Sequence, residues 1–442
     1  MSRIGNIIKV PDLRNKVLFT LAMLLIYRFG SYLPVPGIDQ NAIRAIEDEA
    51  RQGGVLGYLQ LFSGTALTQF SLFALGIMPY ITSSIIMQIL TVVIPKLQEW
   101  QQQGAVGQRK ITQWTRYLTV GIAVLQATGF TFLFANGGGG LSGNNSINLV
   151  TTWSPQRVIL IVTSLTAGTA LLMWMGELIT NRGIGNGMSL IIMASVVSAM
   201  PAAFSAVYGA ENGTVKMAIF LGFFVLMLGF IVFIEQGQRR IPVQFAKRVV
   251  GRKQYAGQST YIPLKVNQAG VIPIIFASAV LNLPVLLSQV LPSDGWGASV
   301  SSWINDNLVN TINPLYLTFL ALLIVGFAYF YTAISFDPVQ QADNLRKQGG
   351  FIPGIRPGPQ TETYLTKVLN RITLPGALFI AVLAVLPTIL VSILIGGGNS
   401  NAAFAFGGTS LLIAVGVSLE TMKQIDSQLM MRNYEGFLSK SS

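Results

Sequence analysis

Apolar residues in this chain come in long runs broken by short polar connectors. Ten runs stand out, at 17–35, 71–94, 114–135, 155–176, 186–204, 216–235, 269–291, 315–335, 374–395 and 404–423. Each has enough residues to cross roughly 30 Å of hydrocarbon as a helix. The pattern therefore predicts an all-α polytopic membrane protein with ten transmembrane helices. An eleventh apolar stretch, GGVLGYLQLFSGTAL at 53–67, is broken by Gly53, Gly54, Gly57 and Gly64 and is too short to cross. It reads as a re-entrant half-helix that protein must shield, or as an interfacial helix on the outer surface.

The second run, FALGIMPYITSSIIMQIL at 73–90, is the most irregular. Pro79 falls in the first turns, where a missing N–H is best tolerated. At about 100° per residue, Ile85 lies about 40° from Ile81 and Gln88 about 20° to the other side. One face thus carries Ile81, Ile85 and Gln88. Periodicity alone does not say what that face touches.

Charge fixes the orientation. The 235–265 connector carries Arg239, Arg240, Lys247, Arg248, Arg252, Lys253 and Lys265 against Glu235 alone. The 337–371 connector adds Arg346, Lys347, Arg356, Lys367 and Arg371. Lys and Arg favour the cytoplasmic side in short loops, so both termini are placed in the cytoplasm. This puts 24 of the 29 basic and 10 of the 17 acidic residues inside, a net +14, and leaves −2 outside. The two basic connectors are either topology determinants or docking surfaces for an anionic or large partner. Ten spans divide into five and five, and an odd number per half forces opposite topology, the geometry of inverted repeats. The seam falls in the polar connector near 205–215, giving halves at 1–210 and 211–442. The N-terminal MSRIGNIIKVPDLRNK lacks the apolar core and small-residue cleavage site of a cleavable signal, so the first span is expected to be retained.

Composition narrows the chemistry. About half of the 442 residues are hydrophobic and 10% are charged, against roughly 25% charged in soluble domains. There is no cysteine and no histidine, which removes disulfides, thiolate sites, the commonest metal ligand and the commonest general base. Glu177, Glu235 and Glu420 sit near cytoplasmic helix ends, and no midplane carboxylate is evident. Ion-coupled carriers usually place ionisable groups or unwound helices near the midplane. An intramembrane enzyme would need a catalytic constellation, and none is spaced along this chain. NRGIGNGMS at 181–189 lacks the preceding strand of a dinucleotide fingerprint and reads as a tight turn between spans.

Several motifs, taken together and in order, carry a family resemblance. They include RFGSYLPVPGID (28–39), LFSGTALTQFSLFALGIMPYITSSIIMQIL (61–90), GQRKITQWTRY (107–117), RGIGNGMSLII (182–192), GQRRIPVQFAKR (237–248), QSTYIPLKVNQAGVIPIIFAS (258–278), ADNLRKQGGFIPGIRPG (342–358) and FGGTSLLIAVGV (406–417). Over essentially its full length the chain resembles the SecY family, the central subunits of bacterial-type protein translocons. That resemblance implies an hourglass channel that passes unfolded polypeptide and opens sideways between the second and third and the seventh and eighth spans. It implies a plug on the 53–67 segment, formed by Leu56, Gly57, Tyr58, Leu59, Leu61, Phe62, Ser63 and Gly64. It implies an apolar pore ring of Ile81, Ile85, Met188, Ile192, Ile275 and Ile413, where Met188 replaces a commonly branched aliphatic residue. It implies docking of the motor ATPase SecA or the ribosome at Arg252, Lys253 and Arg356. The implied partners are SecE- and SecG-type small subunits, SecA, the ribosome, substrate preproteins, nascent membrane proteins and lipids, in a bacterial plasma membrane or a thylakoid. No cofactor, metal or catalytic residue is implied.

Overall fold

A computed structural model describes residues 10–38, 66, 69–135, 154–208, 213–245, 248–250, 253–255, 259–288, 296–309, 313–395 and 408–438. Each of the ten apolar runs holds a helix. In chain order the elements are α1 (Pro11–Gly30), α2 (Met78–Val93), α3 (Pro95–Gln102), α4 (Ala105–Ala135), α5 (Pro155–Arg182), α6 (Gly187–Tyr208), α7 (Gly213–Gln236), β1 (Gln238–Phe245), β2 (Arg248–Val250), β3 (Lys253–Tyr255), β4 (Ser259–Lys265), α8 (Ile272–Ser288), α9 (Trp296–Ile304), a π-helical turn (Asn305–Val309), α10 (Pro314–Ser335), α11 (Pro338–Lys347), β5 (Gly350–Phe351), α12 (Pro359–Ile395) and α13 (Gly408–Leu438).

Proline sets many of the starts. It occupies the first or second position of α1, α2, α3, α5, α10 and α11, where its fixed φ suits the helix and its missing donor costs nothing. This moves two boundaries. The helix of the first run begins at Pro11 and ends at Gly30. In the second run 71–77 forms turns, with Gly76 at φ 58°, and α2 begins only at Met78. Its 16 residues rise roughly 24 Å at about 1.5 Å each. A break at Ile94 then bends the chain by 99° into α3. Among the described residues, four stretches are long and apolar enough to cross a membrane unaided, at Pro155–Arg182, Gly213–Gln236, Pro314–Lys347 and Pro359–Leu390, and the bent α2–α3 pair makes a fifth.

The helix surfaces point to the same environment. Leu25, Leu125, Phe233 and Ile393 are each more than 70% exposed, and they belong to apolar stripes on α1, α4, α7 and α12. Apolar faces this extended are rare on soluble monomers and match hydrocarbon. Within the bundle, α2 packs on α4, α4 on α5, α5 on α6, and α1 on α5 and α6. The C-terminal side repeats the list, with α8 on α10, α10 on α12, α12 on α13, and α7 on α12 and α13. Besides the consecutive α6 and α7, two contacts join the sets, α2 on α8 and α6 on α13.

The two basic connectors are not separate loops. β1 and β4 form an antiparallel hairpin in register from Gln238↔Lys265 to Gln244↔Ser259. β5, from the second connector, adds to the other edge of β1 through Gln244↔Phe351 and Phe245↔Gly350. The sheet order is β4-β1-β5. Ile241, Val243 and Leu264 from the sheet share a buried cluster with Phe336, Ile352, Leu365, Val368 and Leu369. The N-terminal part of α12, which extends past the predicted span, is therefore the floor of this sheet.

Candidate channel gate and docking face

The site is built on α2, α6, α8 and α13. On α2 the Thr-Ser cluster is satisfied locally. Thr82 Oγ1 donates to the Met78 carbonyl at 3.0 Å and Ser83 Oγ to the Pro79 carbonyl at 2.7 Å. Those hydroxyls can therefore lie in an apolar bundle at little cost. On α6 the start is set by the glycine-rich turn, as its spacing predicts. Gly185 has φ 83°, Asn186 Oδ1 accepts from Met188 N at 3.1 Å and Thr180 Oγ1 accepts from Gly187 N at 2.9 Å. A Cβ at Gly187 would run into the Gly176 carbonyl, so the close α5–α6 approach requires glycine there.

Ile81, Ile85, Ile192, Ile275 and Ile413 are all buried in one contiguous apolar cluster. They come from α2, α6, α8 and α13, the helices whose contacts join the two sets. Met188 is partly buried and packs against this cluster. Its sulfur lies where a Cβ at Gly176 would sit, so the thioether reaches towards α5. Among the described residues no Asp, Glu, Lys or Arg is buried, here or elsewhere. Tyr27 reaches the cluster from α1 and hydrogen-bonds Ser195 on α6 at 2.5 Å.

Polar groups gather to one side. Tyr80, Ser84 and Gln88 of α2, Gln108 and Thr112 of α4, and Tyr331 and Ser335 of α10 line a cavity of about 210 Å³. Gln88 thus shares the α2 surface with Ile85 but faces a polar space, and its Oε1 is buried without a protein partner. Glu177 lies five residues before the end of α5 at Arg182, and Arg116 grips it with two hydrogen bonds of 2.7 Å. Glu235 accepts from Asn267 Nδ2 at 2.9 Å. The sequence pattern does not single out Asn267 or Tyr331, because the Glu235 carboxylate that Asn267 binds lies 32 residues away and the cavity that Tyr331 lines is assembled from α2, α4 and α10. Among the described residues no cluster of three or more Asp, Glu, His or Cys could hold a metal.

On the docking side, Arg356 is exposed, in the turn that leads from β5 to α12. Its carbonyl accepts from Thr361 Oγ1 at 3.1 Å, which fixes the backbone and leaves the guanidinium in solvent. Lys253 opens β3 of the β2–β3 hairpin. Arg252 lies outside the described residues, as do the plug positions Leu56, Gly57, Tyr58, Leu59, Leu61, Phe62, Ser63 and Gly64.

A family model described as SecY matches residues 71–422. The chain belongs to the SecY family. A "Protein translocase subunit SecY" of Streptomyces griseus is 52% identical over 441 residues, covering 97% of this chain and 98% of that protein. At 17% identity, a SecY structure whose plug domain is described as stabilising the closed state of the translocation channel superposes with a TM-score of 0.59, over 93% of this chain and 91% of that one. Sec61 from a canine ribosome–channel complex gives 18% identity, a TM-score of 0.56 and the same coverage. The fold is thus that of the SecY and Sec61 channels, and the chain is a multi-pass membrane channel subunit rather than an enzyme.

Proposed function

We propose that this chain passes unfolded polypeptides across a bacterial plasma membrane and releases apolar segments sideways into lipid. The observation that carries the reading is the junction of the two helix sets. SecY family membership supplies the channel, and at the junction five isoleucines from four helices meet in a cluster without carboxylate, Lys or Arg. A collar of that kind excludes water and ions by dewetting, yet makes no bond that a passing side chain must break.

In this reading ten helices cross the membrane with both termini in the cytoplasm. They form two inverted halves at 1–210 and 211–442, supported by the repeated contact list. Ile81, Ile85, Met188, Ile192, Ile275 and Ile413 form the constriction, and residues around 56–64 plug its outer side. The α2–α8 contact is part of the seam that opens to lipid. The β4-β1-β5 sheet, the 252–253 tip and Arg356 form one docking face for SecA or the ribosome, because β5 ties the second basic connector to the first. SecE- and SecG-type subunits cover part of the apolar perimeter. Contact with ribosomal RNA would use Arg and Lys on phosphate, without base readout.

The test is reconstitution of the purified chain, with its co-purifying small subunits, in proteoliposomes with SecA, ATP and an unfolded preprotein. Preprotein should become protected from added protease only when chain, SecA and ATP are all present. Absence of protected preprotein, with saturable uptake of a small solute instead, would replace the channel by a carrier.

A further inference from the structure

The β1–β4 hairpin stands on two feet, the end of α7 and the start of α8, and both are clasped. Gly237 N donates to the Ile234 carbonyl at 3.0 Å, and Val266 N donates to the Gly237 carbonyl at 3.0 Å. Asn267, 6% exposed, then uses its side-chain amide nitrogen twice. It donates to Glu235 Oε2 at 2.9 Å and to the Gly270 carbonyl at 3.1 Å. One side chain thus holds both the last turn of α7 and the turn that opens α8.

The surroundings leave this segment little freedom on its flanks. A Cβ at Gly376 of α12 would strike the Val266 carbonyl, and one at Gly416 of α13 would press on Val271. Its own turn is less secure. Gly270 has φ 63°, and the neighbouring Gln268 Oε1 is buried with no hydrogen-bond partner. Ile274 and Ile275 follow within two turns of helix. The bond to a carboxylate is of the stronger, charge-assisted kind.

We propose that Asn267 is the positioning residue that couples the hairpin to α8, so that a load on the docking face reaches Ile275. This rests on the docking reading above. With the clasp intact, the hairpin and the first turn of α8 move as one body. Without it, the glycine turn absorbs the displacement.

The experiment uses the complete complex in proteoliposomes, with binding of SecA and transport at saturating SecA measured separately. Glu235→Ala removes the α7 half of the clasp, Asn267→Ala removes both halves, and Asn267→Asp sets two carboxylates against each other and loses the donor to Gly270. All three should bind SecA as the parent does, but Glu235→Ala should transport about tenfold more slowly, the effect of losing one such bond from the coupled state, and the two Asn267 variants at least as slowly. Adding Glu235→Gln to Asn267→Asp reverses donor and acceptor in the α7 half alone and should recover transport above that of Asn267→Asp but not to the parental rate, because an aspartate cannot donate to the Gly270 carbonyl. A merely structural role would lower the amount of folded protein and reduce binding and transport together. Parental transport in Asn267→Ala and Glu235→Ala overturns the coupling. If Arg356→Glu still abolishes binding in that case, the docking reading stands without it. If Arg356→Glu binds and transports normally, the docking reading fails and the coupling falls with it.

Discussion

Replacing Ile275 with asparagine tests the seal most directly. Ile275 is 6% exposed in the isoleucine cluster, and in the proposed channel it would face water once the pore opens. Its burial favours the closed state by about 1.5–3 kcal/mol. Asparagine removes that term, and its buried amide without a partner adds about 1–3 kcal/mol against closure. Part of the sum is recovered as neighbours relax and water enters, so a net shift of about 3 kcal/mol is reasonable, on the order of a 100-fold change in the closed-to-open ratio. Ile275→Val removes one methylene, about 0.8 kcal/mol, and should shift the same ratio only about fourfold. Resting ion conductance of the reconstituted channel reads the ratio, and export of preproteins with defective signal sequences gives a second reading in cells. Leu322 of α10, 65% exposed, is the lipid-facing control, and Leu322→Asn should leave conductance at rest unchanged. If Ile275→Asn conducts no more than Ile275→Val at equal protein levels, the isoleucine cluster is ordinary packing and the seal lies elsewhere.

Further outcomes follow from single contacts. Arg356→Glu should abolish SecA-dependent export while leaving membrane-inserted protein at parental levels, read by immunoblot beside an export assay. Gly376→Ala puts a methyl group against the Val266 carbonyl and should destabilise the hairpin base by about 1–3 kcal/mol, read as faster protease cleavage within 238–265. Tyr27→Phe removes the hydrogen bond to Ser195 and should cost about 1 kcal/mol, seen as a small drop in the detergent melting temperature with transport retained.

The helices were legible because lipid imposes one solution on the backbone and long apolar runs announce it. Their ends were less so. α2 begins at Met78 rather than 71, which puts Pro79 in a first turn where its missing N–H costs least, whereas Pro201, Pro284, Pro375 and Pro387 do lie inside helices; 71–77 is apolar for packing, not for spanning. Charge marked the connectors but hid their structure. QRRIPVQF alternates Ile241 and Val243 inward, a strand signal, but Pro242 and the many arginines read as loop. Here Pro242 pairs with Tyr261 and Arg240 with Pro263, in a sheet short enough to accept proline. The pairing of β5 with β1 joins residues more than 100 apart, and no local pattern encodes it.

The candidate site divides along the same line. Ile81 and Ile85 share a face by periodicity, and the structure buries both. Periodicity cannot separate a seal from a core, because each needs an aliphatic side chain at helical spacing. Ile274, fully buried beside Ile275, has the same local signal. What separates the two roles is how a residue's surroundings change when the halves part. A core isoleucine stays dry in both states, whereas a seal isoleucine becomes wet. The distinction is a free-energy difference between conformations, so it is visible only to an experiment that populates both. Polar residues differ in this respect. Gln88 lines a cavity of about 210 Å³ and its buried Oε1 has no protein partner, so its difference from a core residue shows in a single conformation.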